Sequence, residues 1–267
     1  MVKITDNEFL DFVKYMNKNY GINLSKKRVL IEGRLSNLIE KKGMNSFSQY
    51  LKSVKNNNEE ETMLVNKLTT NYTYFYREEK HFQYLTETIL PYEEKNNKVK
   101  ILNIWSAGCS SGEEPYTIAM ILDDYFKYRI TQWKIRINAT DISENVLSKA
   151  REGIYSKDTI SKLPESYIKR YFIKLGDNKY QVTPEIKKHV KFKIFNLMSP
   201  ILEKNRYHVI FLRNVMIYFD PETKNNIVNK LYSATRSGGC LMIGHAEIIQ
   251  RAQSKYQYVK PAIYKKE

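Results

Sequence analysis

Hydrophobic positions over residues 1–70 recur at helical spacing. Apolar residues at i, i+3, i+4 and i+7 are Phe9, Phe12, Val13 and Met16. We place the N-cap of this first helix at Asp6 and its end at Gly21. A second helix would follow Ser25 as N-cap and close at Gly43. Two more helices are predicted, at residues 46–54 and 58–68. The pattern therefore predicts a small all-helical domain over residues 1–70.

Beyond about residue 90 the pattern alternates between short apolar runs and helical spacing. The apolar runs, interpreted as strands, are residues 99–105, 135–140, 208–212 and 241–244. Helices are predicted after the first three, at residues 113–126, at 143–152 and from 220 onward. Strands that alternate with helices form a mostly parallel, doubly wound sheet covered on both faces. We therefore predict a doubly wound α/β domain over residues 91–267, joined to the helical domain by a linker at 71–90.

The alternation is interrupted at about residues 168–195. Short β-like runs there flank Gly176-Asp177-Asn178, a sequence that favours a tight turn. We interpret this stretch as a small antiparallel β insertion in the α/β domain.

Composition narrows the class of protein. In 267 residues, 42% are hydrophobic and 27% charged, a balance typical of a globular protein rather than a disordered chain. No apolar run approaches the roughly 20 residues that span a bilayer, and residues 1–10 lack the apolar core of a signal peptide, so we expect a cytoplasmic protein. Cys109 and Cys240 lie far apart, and the four histidines show no metal-ligand spacing. We therefore expect neither a disulfide framework nor a metal site.

The formal net charge of +15 should attract acidic partners. Nucleic acid, anionic lipid and an acidic protein all satisfy that condition. The basic residues are spread through the sequence and do not form an arginine-rich arm. Charge alone therefore does not select the partner.

A loop of small residues, WSAGCSSG at 105–112, stands between a predicted strand and a predicted helix. Ligands bind at the carboxyl ends of strands in doubly wound sheets, and small residues let a ligand approach the backbone. The loop lacks the G-x-G-x-x-G spacing, so a simple strand-to-helix turn is the alternative. Asp141 ends the next strand, where an acid commonly holds the ribose hydroxyls of an adenosine cofactor. Its alternative role is to cap the helix that follows.

Other polar residues stand at strand or helix ends. Glu113 and Glu114 open a helix, where the macrodipole stabilises acids and where one of them could also contact the cofactor. Arg213-Asn214 directly follow a buried strand, and a charge at that depth needs a carboxylate or a ligand as partner. A structural salt bridge competes with ligand binding there. Tyr218 could face the same cleft, although most tyrosines in a chain with 21 of them are packing residues.

Four stretches together carry a family resemblance: TTNYTYFYRE (69–78), IWSAGCSSGEEPY (104–116), ATDI (139–142) and FLRNVMIYF (211–219). They resemble the chemotaxis receptor methyltransferase family, CheR. The resemblance covers essentially the whole chain in the same order, and it includes the helical domain, the β insertion and Gly-His-Ala-Glu at 244–247. The chain departs mildly from the family's usual sequence at two places. Ala246 stands where the family usually has serine, and Gly108-Cys109 replace a commoner Ala-Ala or Ala-Ser pair.

The resemblance implies an S-adenosylmethionine (SAM)-dependent enzyme that esterifies glutamate side chains of chemotaxis receptors. It also implies that the α/β domain has a class I methyltransferase-like fold and that the linker at 71–90 covers the cofactor. It implies that Arg77 and Tyr218 lie nearest the methyl transfer. The cofactor-binding residues that it implies are Asn71, Thr73, Arg77, Glu113, Asp141, Asn196, Leu197, Leu212, Arg213 and Asn214. A glutamate carboxylate has a pKa of about 4.3 and is ionised at neutral pH, so the transfer requires no general base.

Partners also follow from the resemblance. Receptor methylation helices are acidic in this family, so the candidate docking face is Lys26, Lys27, Arg28 and Arg34, with a solvated helix surface as the alternative. The loop at 174–180 is short beside that of family members that bind a receptor tail peptide, which argues against tail binding here. We expect a monomer and no nucleic-acid partner.

Two other functions stay open from the sequence. One is a methyltransferase for nucleic acid or a small molecule, which the positive charge would suit, although the chain lacks an Asn-Pro-Pro-Tyr motif and a Pro-Cys nucleophile. The other is a non-catalytic protein that senses SAM.

Overall fold

The computed structural model describes residues 2–69 and 71–267, apart from the side chain of Arg251. Met1 and Thr70, which belong to the predicted helical domain, lie outside the described residues, and Thr70 is part of the TTNYTYFYRE motif.

The N-terminal helices are α1 (Asp6–Tyr20), α2 (Arg28–Lys41), α3 (Phe47–Asn56) and α4 (Asn58–Leu68). The cap of α1 is Thr5 and not Asp6: its hydroxyl accepts from the Glu8 amide, and the Glu8 carboxylate accepts in return from the Thr5 amide, forming a capping box. Helix α2 begins at Arg28 without a side-chain cap, so the predicted cap Ser25 stands in the preceding loop. Gly21 ends α1 in the left-handed conformation, as predicted.

A seven-stranded sheet forms the centre of the larger domain. Its strands are β1 (Ile101–Ala107), β2 (Lys134–Asp141), β6 (Val190–Ile194), β7 (Tyr207–Leu212), β8 (Thr235–Ile243), β9 (Gln257–Lys260) and β10 (Ile263–Lys265). They lie in the order β6-β2-β1-β7-β8-β10-β9. Neighbours from β6 to β8 pair in parallel, whereas β10 pairs antiparallel with β8 and β9. The predicted α/β fold with a mostly parallel sheet is therefore confirmed.

Helices cover both faces of the sheet. They are α5 (Lys80–Tyr84), which continues through a π-helical turn at Leu85–Ile89 into α6 (Leu90–Asn96), then α7 (Glu113–Phe126), α8 (Glu144–Glu152), α9 (Lys157–Ile160), α10 (Glu165–Tyr171), α11 (Pro184–Lys187) and α12 (Pro221–Ala234). Side chains alternate between faces along each strand. Ile210 and Leu212 of β7 pack in one core with the N-terminal helices and α12, while Val209 and Phe211 pack in the other with α5 to α7. The sheet thus has a core on each face.

The β insertion differs from its predicted bounds of 168–195. A small antiparallel sheet has the order β3 (Ile154–Ser156), β5 (Lys179–Val182) and β4 (Phe172–Gly176), so its first strand precedes the predicted range. Strand β6, inside that range, instead pairs in parallel with β2 at the edge of the main sheet. Strand β6 lies at the edge of the sheet and is partly exposed, so polar Lys191 and Lys193 alternate with apolar residues along it. The same alternation is typical of antiparallel strands, which explains the wrong assignment.

The turn between α1 and α2 packs directly on the α/β domain. The Asn23 amide donates to the Tyr218 carbonyl at 2.8 Å, and Ile22 forms a β-bridge with Phe219. The side-chain amide of Asn17 donates to the Asp220 carboxylate at 2.9 Å. These contacts fix the helical domain against the segment that follows β7. Within the described part of the chain, no helix combines the length and apolar character that crossing a membrane requires.

We predict that Gly21→Ala destabilises the protein more than Gly43→Ala. Both glycines have φ near +70° (+69° and +68°), so alanine at either position should cost about 1–2 kcal/mol of unfolding free energy. Only at Gly21 would the added methyl meet neighbours, Met198 Sδ at 2.7 Å and Thr223 Cγ2 at 2.9 Å. The crowding should add about 1–3 kcal/mol in urea denaturation. Equal losses in the two variants would mean that the turn does not pack as tightly as described.

Candidate functional site

A cavity of about 330 Å³ lies at the carboxyl ends of the parallel strands. Its described walls come from the residues that follow β1, β2, β6 and β7, which is where ligands bind in sheets of this type. The segment at 71–77 forms another wall, and Tyr20 and Ile22 of the helical domain also line it. The cavity therefore lies between the two domains, at the point where they pack together.

Most of the residues predicted from sequence meet at this cavity. Those that line it are Asn71, Thr73, Arg77, Asp141, Asn196, Leu197, Arg213, Asn214 and Tyr218. Glu113 and Leu212 are not among the lining residues. The Glu113 carboxylate is buried and accepts from the Ser111 hydroxyl at 2.8 Å, and Leu212 is fully buried in the sheet. Glu114 lines the cavity instead, because consecutive side chains on a helix point about 100° apart.

The loop after β1 is held by Asp141. One carboxylate oxygen accepts from the Ser110 amide at 2.9 Å, and the other accepts from the Ser143 amide at 3.0 Å. Ser110 has φ +49° and Gly108 has φ +81°, so the loop turns sharply through left-handed positions. Burial raises the pKa of Asp141 above its ordinary value, although these amides favour its charged form. Asp141 thus supports both the loop and the start of α8 while facing the cavity.

The segment at 71–79 is anchored by one aromatic side chain. Phe75 is fully buried and packs edge to face on Tyr155 and Phe172 of the small β-sheet, with ring centroids 4.9 and 5.7 Å away. Residues on either side of Phe75 line the cavity. Arg77 donates from Nη1 to the Tyr72 carbonyl at 2.8 Å, which closes the segment on itself.

Arg213 joins this segment to the sheet. Its Nε donates to the Glu78 carboxylate at 3.2 Å and its Nη1 to Glu114 at 2.9 Å, while Nη2 donates to the Arg77 carbonyl. The side chain is only 2% exposed. The salt-bridge interpretation of this arginine therefore holds in the structure, and the same residue also faces the cavity.

Burial and the nearby Arg213 cation shift the pKa values of Glu78 and Glu114 in opposite directions. Burial raises the pKa of Glu114, although Arg213 favours its ionised form. For Glu78, burial opposes ionisation, but Arg213 and the His245 amide hold the pKa below its ordinary value. We conclude that Glu78 is the firmly ionised partner of Arg213. Sequence analysis did not identify Glu78, although its place in TTNYTYFYRE was a signal.

Glu247, in the Gly-His-Ala-Glu element, fixes the loop after β7. Its carboxylate accepts from the amides of Gly244 at 2.6 Å, Asn214 at 3.0 Å and Ile217 at 3.2 Å. Asn214 has φ +57°, a conformation that these bonds stabilise. The role of this glutamate was not predicted from the sequence, because two of its three partners are backbone amides on another loop.

The remaining lining residues are held from neighbouring elements. Asn196 donates to the Asn19 carbonyl of α1 at 2.8 Å, and Lys230 of α12 donates to the Leu197 carbonyl at 2.5 Å. Tyr218 is half-buried, and burial raises the pKa of its phenol. The cavity is therefore built from elements of both domains.

Comparison with known proteins matches two family models. The CheR methyltransferase, all-alpha domain, matches residues 7–69, and the CheR methyltransferase, SAM binding domain, matches residues 71–264. A Chemotaxis protein methyltransferase of Borreliella burgdorferi is 46% identical over 99% of this chain and 96% of its own length. Chemotaxis protein methyltransferase 1 of Pseudomonas aeruginosa is 33% identical over 95% of this chain and 94% of its own. Chemotaxis protein methyltransferase 2 of Vibrio cholerae is 34% identical over 95% and 89%.

The chemistry of the cavity wall fits SAM, the cofactor of this kind of domain. SAM combines a sulfonium cation with an ammonium group, ribose hydroxyls and an adenine ring. The carboxylates of Asp141, which is buried, and of Glu114, which is partly buried, suit the cations and the hydroxyls. Apolar and aromatic side chains such as Ile142, Phe195 and Leu197 offer contact area for a flat ring.

We predict that Arg213→Met lowers the unfolding free energy by about 3–5 kcal/mol, because it leaves Glu78 and Glu114, whose side chains are only 13% and 14% exposed, without their shared cation. Arg170→Met is the matched control. Arg170 also pairs with two acids, Asp123 and Asp124, but its side chain is 49% exposed, so the expected loss is about 0–1 kcal/mol. Urea denaturation measures both. A loss at Arg213 no greater than at Arg170 would contradict a structural role for this cluster.

Proposed function

Because the chain belongs to the CheR methyltransferase family, we propose that it transfers the methyl group of SAM to glutamate side-chain carboxylates of chemotaxis receptors. The broader activity, SAM-dependent methylation in chemotaxis, follows from the family. The carboxylate acceptor is the part that the chemistry of the cavity supports.

The observation that carries the proposal is the state of the ionisable groups along the cavity. Burial raises the pKa of the Tyr218 phenol and of the Cys109 thiol, so both are protonated at neutral pH. Asp141 and Glu114 already accept hydrogen bonds from their neighbours. These groups are poorly suited to remove a proton from an alcohol or an amine. A glutamate carboxylate suits the site because it is ionised before it binds.

In this proposal the cofactor is held from three sides. Asp141 would accept from the ribose hydroxyls, and Asn196 with Leu197 would contact the adenine. Asn71, Thr73 and the Arg213-Asn214 pair would line the methionine side. Glu114 takes the place expected of Glu113, because Glu113 is turned away toward Ser111.

SAM would supply a methyl group on a sulfonium. In-line attack by a carboxylate oxygen would form the O–CH3 bond as the S–CH3 bond breaks, and S-adenosylhomocysteine would leave with the electron pair on its neutral sulfur. The protein then needs to position the acceptor and exclude water. Arg77 is the candidate for positioning. Its guanidinium lies 5.8 Å from the ring centroids of both Tyr72 and Tyr74, and its described hydrogen bond uses only Nη1 of its five N–H donors. The other donors could hold one oxygen of the acceptor, with Tyr218 close to the reacting centre.

A groove on the helical domain could dock an acidic helix. It lies between α2 and α4, has a volume of about 560 Å³, and includes Arg34, Lys41 and Lys67. Thr69 lines both this groove and the main cavity. An acidic receptor helix in the groove would therefore have a path for one glutamate side chain to the cavity.

The predicted docking residues differ in their surroundings. Lys26 and Lys27 are exposed and precede α2. Arg28 pairs with Asp6, and Arg34 donates to the carbonyls of Lys67 and Thr69. Charge reversal at the two arginines would therefore disturb the domain, whereas reversal at the two lysines tests docking alone.

The direct test uses radiolabelled SAM and a recombinant receptor cytoplasmic fragment. We expect label on the receptor that mild base releases as volatile methanol, since a methyl ester is base-labile. Stable label would indicate methylation at nitrogen or carbon. Cofactor binding without transfer would favour a sensor.

We predict that Arg77→Ala lowers kcat/KM for the receptor by about 10- to 100-fold, equivalent to a lost hydrogen bond to a charged group. Its Kd for SAM should change little, and Arg77→Lys should recover part of the loss. Steady-state kinetics and calorimetry separate the two effects. A change confined to SAM affinity would assign Arg77 to the cofactor and not to the acceptor.

We predict that reversing the charge of Lys26 and Lys27 to glutamate raises KM for the receptor and leaves SAM affinity intact. Reversal of Lys52 and Lys55, which are also exposed but lie on α3, is the matched control for net charge. The difference in receptor KM between the two double variants should shrink as the salt concentration increases, because screening weakens interactions between exposed charges. Identical KM values for the two double variants would show that residues 26–27 do not dock the receptor.

A further inference from the structure

Glu78, His81 and His245 form a cluster beside the cavity. Each offers a possible ligand atom, and these atoms lie within 4.8 Å of one another. His81 and His245 pack edge to face with ring centroids 5.0 Å apart, and Nδ1 of His81 is 3.5 Å from the Glu78 carboxylate. The chain positions of the two histidines give no hint of this contact, since one precedes β1 and the other follows β8.

Within this cluster, His81 points most clearly to a bound ligand or ion. The side chain is completely buried, yet neither ring nitrogen has a hydrogen-bond partner among the described residues. A buried polar atom without a partner costs about 1–3 kcal/mol, so such atoms are rare unless a ligand or an ion uses them. The unpaired ring nitrogens of His81 therefore point to a ligand or an ion in contact with this buried ring.

We propose that Glu78, His81 and His245 bind a first-row transition metal ion, with Zn²⁺ as the probe that best fits two imidazoles and one carboxylate. This donor set matches known three-ligand zinc sites, which leave a fourth position for water. The proposal is independent of the methyl acceptor, because it concerns residues that lie outside the described lining of the cavity.

The geometry requires a small adjustment. At zinc–ligand distances of about 2.0–2.2 Å, ligand atoms on a tetrahedral ion are about 3.4 Å apart, closer than the 4.8 Å limit of the cluster. His245 is exposed, so its ring can rotate toward the other two ligands without disturbing the core. His81 and Glu78 are already close to the required separation.

Local charge permits a cation here. The positive charge of Arg213 would repel a metal ion. However, its guanidinium is paired with Glu78 and Glu114, so the three side chains together carry one net negative charge when ionised. Bound metal would share the Glu78 carboxylate with Arg213. It would also fasten the segment after Arg77 to the loop that carries Glu247, two of the elements that shape the cavity.

The test is calorimetric titration of tag-free, full-length protein with Zn²⁺, alongside Co²⁺ absorption as a report on coordination. We expect one ion per chain and a visible Co²⁺ band of tetrahedral intensity. His245→Ala should weaken binding by more than the 10- to 100-fold typical of losing an outer-shell partner, and should abolish the band. Because His245 is exposed, this variant should fold.

His189→Ala is the matched control, since His189 is a half-buried histidine far along the chain from this cluster. It should bind Zn²⁺ as the unmodified protein does. Absence of saturable binding would overturn the proposal. Equal weakening in the two variants, or retained binding in His245→Ala, would overturn it as well.

Discussion

The buried guanidinium of Arg213 connects the parts of the site. It directly follows β7, bonds Glu114 at the start of α7 and Glu78 in the segment at 71–79, and donates to the carbonyl of Arg77. A buried charge without partners is costly, so these contacts are maintained together or lost together. The position of Arg77 over the cavity therefore depends on an ion-pair network that begins in the central sheet.

The helical domain completes the same site. Its α1–α2 turn packs on the segment at 218–220, and Asn196 reaches back to α1. Tyr20 and Ile22 then become part of the cavity wall. A domain that would dock an acidic receptor is thus in direct contact with the residues around Tyr218. In the proposed function, acceptor docking and cofactor binding would therefore share one continuous surface.

Much of the fold could be predicted from sequence because its signals are local. Helical spacing, apolar strands and the turn at Gly21 depend on neighbouring residues, and the structure agrees with them. The edge strand β6 was wrongly included in the insertion because exposure on one side gives it an alternating pattern. Glu113 and Glu114 could not be told apart without the orientation of α7.

The least predictable features depend on contacts between distant loops. Glu247 acts through backbone amides that the sequence does not reveal, and the four histidines show no metal-ligand spacing although the fold brings His81 and His245 together. Residue type alone carries little information in such cases. What the sequence did supply was the family resemblance, which placed Arg77, Asp141 and Tyr218 at one site before their distances were known.

In the proposed reaction the acceptor arrives as a carboxylate, and the protein needs no base to activate it. The pH dependence of single-turnover methyl transfer distinguishes this reaction from one that requires a base. We expect a rate that is nearly constant from about pH 6 to about pH 9, because a glutamate with a pKa of about 4.3 is ionised throughout. A rate that rises tenfold with each pH unit across that range would contradict it, since it would show that a proton must leave before the methyl group is transferred.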